Sequence, residues 1–165
     1  MKKLYIKQKV FSLGEQFTVK DEAANDRYFV KGSFMKIPKE FHITDTQGKE
    51  VGVITKKVVS LLPKFFVTVG SQEVVIEKKL SFLKAKYDIS GENLTIQGDI
   101  WNMNFSMMQK GTEVATVNKK WVSWGDSYEV TILKEDLEEL IICFVVALDY
   151  VKSEENNNNN VSNNN

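Results

Sequence analysis

Three stretches of the chain superpose without a gap: GKEVGVITKKVVSLLPKFFVTV (48–69), GSQEVVIEKKLSFLKAKYDIS (70–90) and GTEVATVNKKWVSWGDSYEVTI (111–132). Each opens on a glycine (Gly48, Gly70, Gly111) and has a branched apolar residue six positions on (Ile54, Ile76, Val117). A lysine pair follows at eight and nine (Lys56 and Lys57, Lys78 and Lys79, Lys119 and Lys120). An aromatic stands at seventeen (Phe65, Tyr87, Tyr128) and a branched residue at nineteen (Val67, Ile89, Val130). Self-similarity at a fixed period means that one supersecondary unit is used repeatedly, and this limits the possible folds more than any single residue can.

The eleven-residue interval from apolar anchor to aromatic recurs from Ile6 to Phe17, Val30 to Phe41 and Leu94 to Phe105, with the lysine pair absent or partial. Around the anchors, apolar and polar residues alternate, as in Tyr28 and Val30, Val74 and Ile76, or Tyr128, Val130 and Ile132. A period of two marks a strand buried on one face. Runs such as TDTQGK and SGEN punctuate the intervals as turns. Six strand-turn-strand units predict about twelve antiparallel strands, a β-rich fold. A sheet of that width would leave long edges and one apolar face in water, so closure into an all-β barrel is expected. Roughly eight strands are just filled by their own side chains, so a wider barrel has an axial space to fill.

The filler is near the end of the chain, in DLEELIICFVVALDYVKS (136–153). Leu140 to Leu148 are nine consecutive apolar residues. That is far short of the roughly 20 needed to cross a bilayer, so no transmembrane span is expected. A short apolar run can be a buried strand or a buried helix, and periodicity alone does not separate them. Three features favour the helix. Glu135, Asp136, Glu138 and Glu139 crowd its first turn, where the macrodipole favours negative charge. Leu137, Ile141, Phe144, Leu148 and Val151 recur at helical spacing, and the turn signals that bracket the strands are missing. A helix that is apolar all round must be surrounded by protein, which puts it inside the barrel.

The expected domain is residues 1–152, followed by an Asn-rich tail, 153–165, that cannot bury apolar surface and reads as disordered. One cysteine, Cys143, excludes an internal disulfide, and MKKLYIKQKV breaks its apolar residues too often for a signal-peptide core. A reducing, cytoplasmic setting is the expectation. With 22 basic and 22 acidic residues there is no overall field to attract nucleic acid, and Arg27 is the sole arginine. No nucleic-acid partner is expected, and a monomer is.

Charge is nonetheless unevenly distributed along the repeat. The ten residues between each anchor pair (7–16, 31–40, 55–64, 77–86, 95–104 and 118–127) hold 14 lysines and five acids, a net of +9. The rest of the chain holds 8 basic and 17 acidic residues, a net of −9. An up-and-down barrel collects these six segments at one end. Phe11, Leu13, Leu61, Leu62, Phe82, Leu83, Trp101, Trp121 and Trp124 lie in the same segments, either as exposed tips or packed toward the helix.

Signatures of chemistry are missing from the sequence. His42 is the single histidine and follows Phe41 on an alternating strand, so it should face outward. There is no metal-ligand spacing, no phosphate loop and no nucleophile elbow, so no catalytic residue, metal or cofactor is expected. Cys143 reads as core packing, and Asp149 with Tyr150 as a hydrogen-bonded plug at the end of the helix.

The units ITKKVVSLLPKFFV, KKLSFLKAKYDI and KKWVSWGDSYEV, followed by LEELIICFVVALDYV, resemble the LURP-one-related family over roughly residues 1–152. That family shares the tubby C-terminal-like fold with phospholipid scramblases. The resemblance implies a twelve-stranded barrel around a central C-terminal helix. It also implies a membrane connection, since tubby domains bind phosphoinositide headgroups and scramblases act at membranes. The expectation is a non-catalytic module recognising anionic phospholipid headgroups or a membrane surface, peripheral to the membrane, with Lys56, Lys57, Lys78, Lys79, Lys119 and Lys120 as lipid-binding candidates. A protein-interaction scaffold and a small-ligand carrier are the alternatives.

Overall fold

The computed structural model describes residues 1–7, 16–33, 37–57, 62, 64–79, 86–90, 93–122 and 125–162. For 78–79, 86–88, 121–122, 125–126 and 154–162 it describes the backbone alone. Among the described residues, twelve antiparallel strands form one sheet. In chain order they are β1 (Lys2–Lys7), β2 (Gln16–Asp21), β3 (Asp26–Gly32), β4 (Glu40–Asp45), β5 (Glu50–Lys56) and β6 (Lys64–Val69), then β7 (Gln72–Lys79), β8 (Lys86–Ser90), β9 (Leu94–Asp99), β10 (Asn104–Gln109), β11 (Thr112–Val122) and β12 (Gly125–Ile132). A single 3₁₀ turn, Glu135–Leu137, leads into α1 (Glu138–Ser162).

Each strand pairs with its successor except at one place, and β1 pairs with β12 from Lys2 opposite Ile132 to Lys7 opposite Ser127. The sheet therefore curls into a nearly closed barrel whose seam falls between β8 and β9. These two strands approach each other without joining the hydrogen-bonded ladder. Closure all the way round was the expectation. At the seam, β9 has little with which to hold an inner face: after Leu94 its inward positions are Ile96, half-buried, and Gly98.

The repeat explains the register. The aromatic of one unit faces the apolar anchor of the next: Phe17 opposite Val30, Phe41 opposite Ile54, Phe65 opposite Ile76, Phe105 opposite Val117. Within a unit, the first lysine of the pair faces the aromatic: Lys56 opposite Phe65, Lys78 opposite Tyr87, Lys119 opposite Tyr128. The repeat glycines Gly48, Gly70 and Gly111 sit at φ of 81°, 57° and 82°, the left-handed region that a side chain disfavours, in the turns that join units.

The barrel interior is the core. Inward residues of the strands, including Leu4, Ile6, Val19, Val30, Ile43, Ile54, Val67, Ile76, Met107 and Val130, surround α1, and on α1 everything from Leu140 to Asp149 is buried. A helix apolar on every side is thus enclosed by sheet, as its composition requires. The approach is tight at β5, where a Cβ on Gly52 would stand 2.4 Å from the Cys143 sulfur. Glycine lets the helix lie against the wall there, and Cys143 is a core side chain whose thiol burial pushes up to about 12. The backbone of α1 runs on to Ser162, and the last buried residue among its described side chains is Val151.

Candidate functional site

Antiparallel succession puts the connections inside the six units at one end of the barrel and those between units at the other. The chain enters α1 at the second end and leaves through the first. The two ends of the helix are held differently.

Where α1 begins, Glu138 is 7% exposed. Lys2 Nζ reaches both its carboxylate oxygens, at 2.6 and 2.8 Å, and the Tyr28 hydroxyl donates to Oε1 at 2.6 Å. Burial, and then that bond to Glu138, push the Tyr28 hydroxyl well above its usual range. A buried carboxylate with three charge-assisted or hydroxyl bonds is well satisfied. This end ties β1 and β3 to the helix.

Where α1 leaves, the aromatics of the repeat make a girdle just inside the rim. Phe17, Phe41, Phe65, Phe105 and Tyr128 are all buried. Tyr150 of the helix meets Phe41 edge-on at 4.8 Å and Phe65 at 6.1 Å, and Phe144 meets Phe105 at 6.1 Å. Asp149, 4% exposed, accepts a 2.6 Å hydrogen bond from the Tyr128 hydroxyl. Burial pushes its carboxyl up to about 6, opposed by that bond and by Lys152. Lys152 lies with its Nζ 6.0 Å from the Tyr128 ring centre. Burial holds Lys152 below its usual range, Asp149 and Asp99 act against this, and Lys119 adds to it.

The lysines stand above this girdle. Lys56 and Lys119 are in phase with the buried anchors Ile54 and Val117, two residues earlier, and therefore turn toward the mouth. Lys56 Nζ sits 5.7 Å over the Tyr150 ring, and Lys119 acts electrostatically on Lys152. Lys57 and Lys120, one residue further on, are exposed on the outside. Lys78 and Lys79 end β7 at the equivalent positions; their side chains lie outside the described residues. The pair at 56 and 57 therefore splits, Lys56 half-buried over the helix and Lys57 in solvent, whereas Lys119 and Lys120 are both exposed. Lys7, Lys31 and Lys39 occupy strand termini at the same end, and Lys39 Nζ bonds the Ser33 carbonyl and lies 5.7 Å from the Phe41 ring.

Residues 2–149 match the LURP-one-related family. The uncharacterized protein YxjI of Bacillus subtilis (strain 168) is 36% identical over 149 residues, covering 90% of this chain and 91% of YxjI. The chain belongs to the LURP-one-related family. An X-ray structure of an Arabidopsis thaliana protein superposes with a TM-score of 0.58 at 13% identity, covering 90% of this chain and 91% of that one, and shows the same fold.

Among the apolar residues read as candidate tips in this LURP-one-related chain, Trp101 is 36% exposed in the β9–β10 connection and Leu62 is half-buried. Trp121 is described by its backbone alone, and Phe11, Leu13, Leu61, Phe82, Leu83 and Trp124 lie outside the described residues. Sequence reasoning passed over Ile37, which is 82% exposed at the same end beside Pro38. A lone isoleucine before a proline carries no periodic signal, so only its position shows its exposure. His42 lies between buried Phe41 and Ile43 on the outer face, with Nδ1 2.7 Å from Glu50 and Nε2 3.5 Å from Glu40. The two nitrogens point to different carboxylates, so the three do not converge on one ion.

Proposed function

We propose that this LURP-one-related protein is a non-catalytic module whose lysine-rich barrel end docks on anionic phospholipid headgroups, around the departing helix. The observation that carries this reading is the presence at one end of exposed lysines, Lys7, Lys31, Lys57 and Lys120, with two exposed large apolar side chains, Ile37 and Trp101. Near an anionic bilayer each lysine contributes on the order of 1 kcal/mol. Tryptophan prefers the headgroup level, and an exposed isoleucine gains by leaving water. No helix among the described residues is long and apolar enough to cross a membrane, so the association proposed is peripheral.

The test is co-sedimentation with phosphatidylcholine vesicles, with and without phosphatidylglycerol. Binding should need the anionic lipid and weaken with salt. Lys31→Glu, Lys57→Glu and Lys120→Glu together should lower partitioning by at least about 100-fold, three lost attractions of ~1 kcal/mol each becoming repulsions. Ile37→Glu should lower it with little change in salt dependence. Equal binding to both vesicles, or none to either, rejects the proposal.

A further inference from the structure

We infer that the outer wall of β9, β10 and β11 is a binding site for a neutral sugar ring. A depression of about 260 Å³ lies there, lined by Gln97, Asn104, Ser106, Thr116 and Asn118, with Gly98 and Phe105 in its floor. Its chemistry differs from that of the lysine-rich end, which it adjoins at Asn104 and Asn118.

Register explains the arrangement. Gln97, Ser106 and Thr116 stand opposite one another across three strands and make one rung. Asn104 and Asn118, two residues along β10 and β11, make the next. Strand geometry sets the rungs about 6.8 Å apart and neighbours within a rung about 4.8 Å apart. The backbone of Gly98, Phe105 and Val117 runs between them. At Gly98 (φ 120°) a Cβ would come 2.8 Å from the Asn104 carbonyl oxygen and 2.9 Å from the Phe105 Cα, so glycine allows β9 to press against β10. A side chain there would spread the strands and the rungs they carry.

The chemistry is selective. The lining has no formal charge, in a chain of which 27% is charged. The sixth lattice point, Asp99 opposite Asn104, turns its carboxylate to the Asn102 backbone and amide at 3.1 and 2.7 Å. The five polar side chains bond no other side chain among the described residues. Ser106, Thr116 and Asn118 are nevertheless half-buried. Amides and hydroxyls each donate and accept, as sugar hydroxyls do, so a flat lattice of them can pair with a ring of hydroxyls. The lining itself offers an ion no countercharge, and it mixes polar groups with backbone and aliphatic carbon as a sugar ring mixes hydroxyls with C–H groups. The volume is slightly below the ~300–1,000 Å³ of drug-sized sites, which suits one ring rather than a chain of them.

The test is an amide-resolved NMR titration of the full chain with glucose, galactose and N-acetylglucosamine. At least one should give saturable shifts at the Gly98, Ser106 and Thr116 backbone amides and the Gln97, Asn104 and Asn118 side-chain amides. Ser106→Lys and Thr116→Lys each place a long side chain across the depression from an outward position, and a native-like spectrum elsewhere confirms folding. Each should weaken binding at least about tenfold, the equivalent of one good hydrogen-bond pair. Absence of saturable shifts with all three sugars overturns the inference, as do shifts that persist in both variants or map to the lysine-rich end.

Discussion

The two ends of α1 use the same pair of chemical groups, a helix carboxylate and a tyrosine of the wall, to different effect. At the entry, Glu138 receives Tyr28 and both arms of a contact with Lys2. At the exit, Asp149 receives Tyr128, and Lys152 adds charge from nearly one helical turn away. The first carboxylate is paired by an ammonium at hydrogen-bond distance. The second is more deeply buried, and burial raises its proton affinity. A buried charge is stabilising only when its bonds replace the water it lost. The entry therefore works as a fastening, and the exit holds a group that carries its charge at a cost.

The largest expected effect comes from breaking the fastening. Glu138→Ala leaves Lys2 and Tyr28 facing a buried gap and should cost about 3–4 kcal/mol in urea unfolding at pH 7. A loss below 1 kcal/mol would mean the entry is not a fastening at all.

The exit should respond to pH instead. The folded-state carboxyl of Asp149 titrates near 6, above its ordinary 3.8, so the folded protein binds the proton more tightly than the unfolded chain. This group's contribution to stability therefore rises as pH falls from about 6 toward 4, by up to about 3 kcal/mol. Asp149→Asn removes that rise and should be at least as stable as the parent at pH 7.5. Stability profiles of parent and variant running parallel from pH 7.5 to 4.5 would remove the contrast between the ends.

The tyrosines sharpen the comparison. Tyr28→Phe should cost about 1 kcal/mol and leave the Asp149 titration in place. Tyr128→Phe should cost a similar amount and also move that titration upward, because the hydroxyl bond favours the ionised form. NMR-detected titration of the Asp149 carboxyl distinguishes the two. The smallest effect belongs to the segment beyond the exit. Val151 is the last buried residue among the described side chains, and deleting 154–165 should change stability by less than about 0.5 kcal/mol.

Much of this was legible from residue spacing. The interval between anchor and aromatic announced six hairpins because cross-strand register is periodic, and Ile54 to Phe65 or Val117 to Tyr128 occupy fixed places in it. Leu140 to Leu148 had to be enclosed, since nine apolar residues suit neither water nor a bilayer. The lysine pairs could be assigned to one end, but the division of Lys56 and Lys57 between mouth and surface needed the phase of Ile54 to be known. Other features left no trace in spacing. The seam at β8 and β9 depends on how twelve strands close, a property of the whole ring. Glu138 with Lys2 and Tyr28 brings together residues separated by 136 and 110 positions. The rungs of the sugar site come from three strands, each carrying only ordinary polar residues.

From its sequence alone this protein was bound to be a strand-built shell around a helix, because alternation and an unbroken apolar run state how much surface must leave water and on which side. Which end grips the helix, which carboxylate is left expensive, and where neutral side chains gather were decided only in three dimensions. Those depend on distances of a few ångströms between residues far apart in the chain, and burial and electrostatics respond to distance in space rather than to position in sequence.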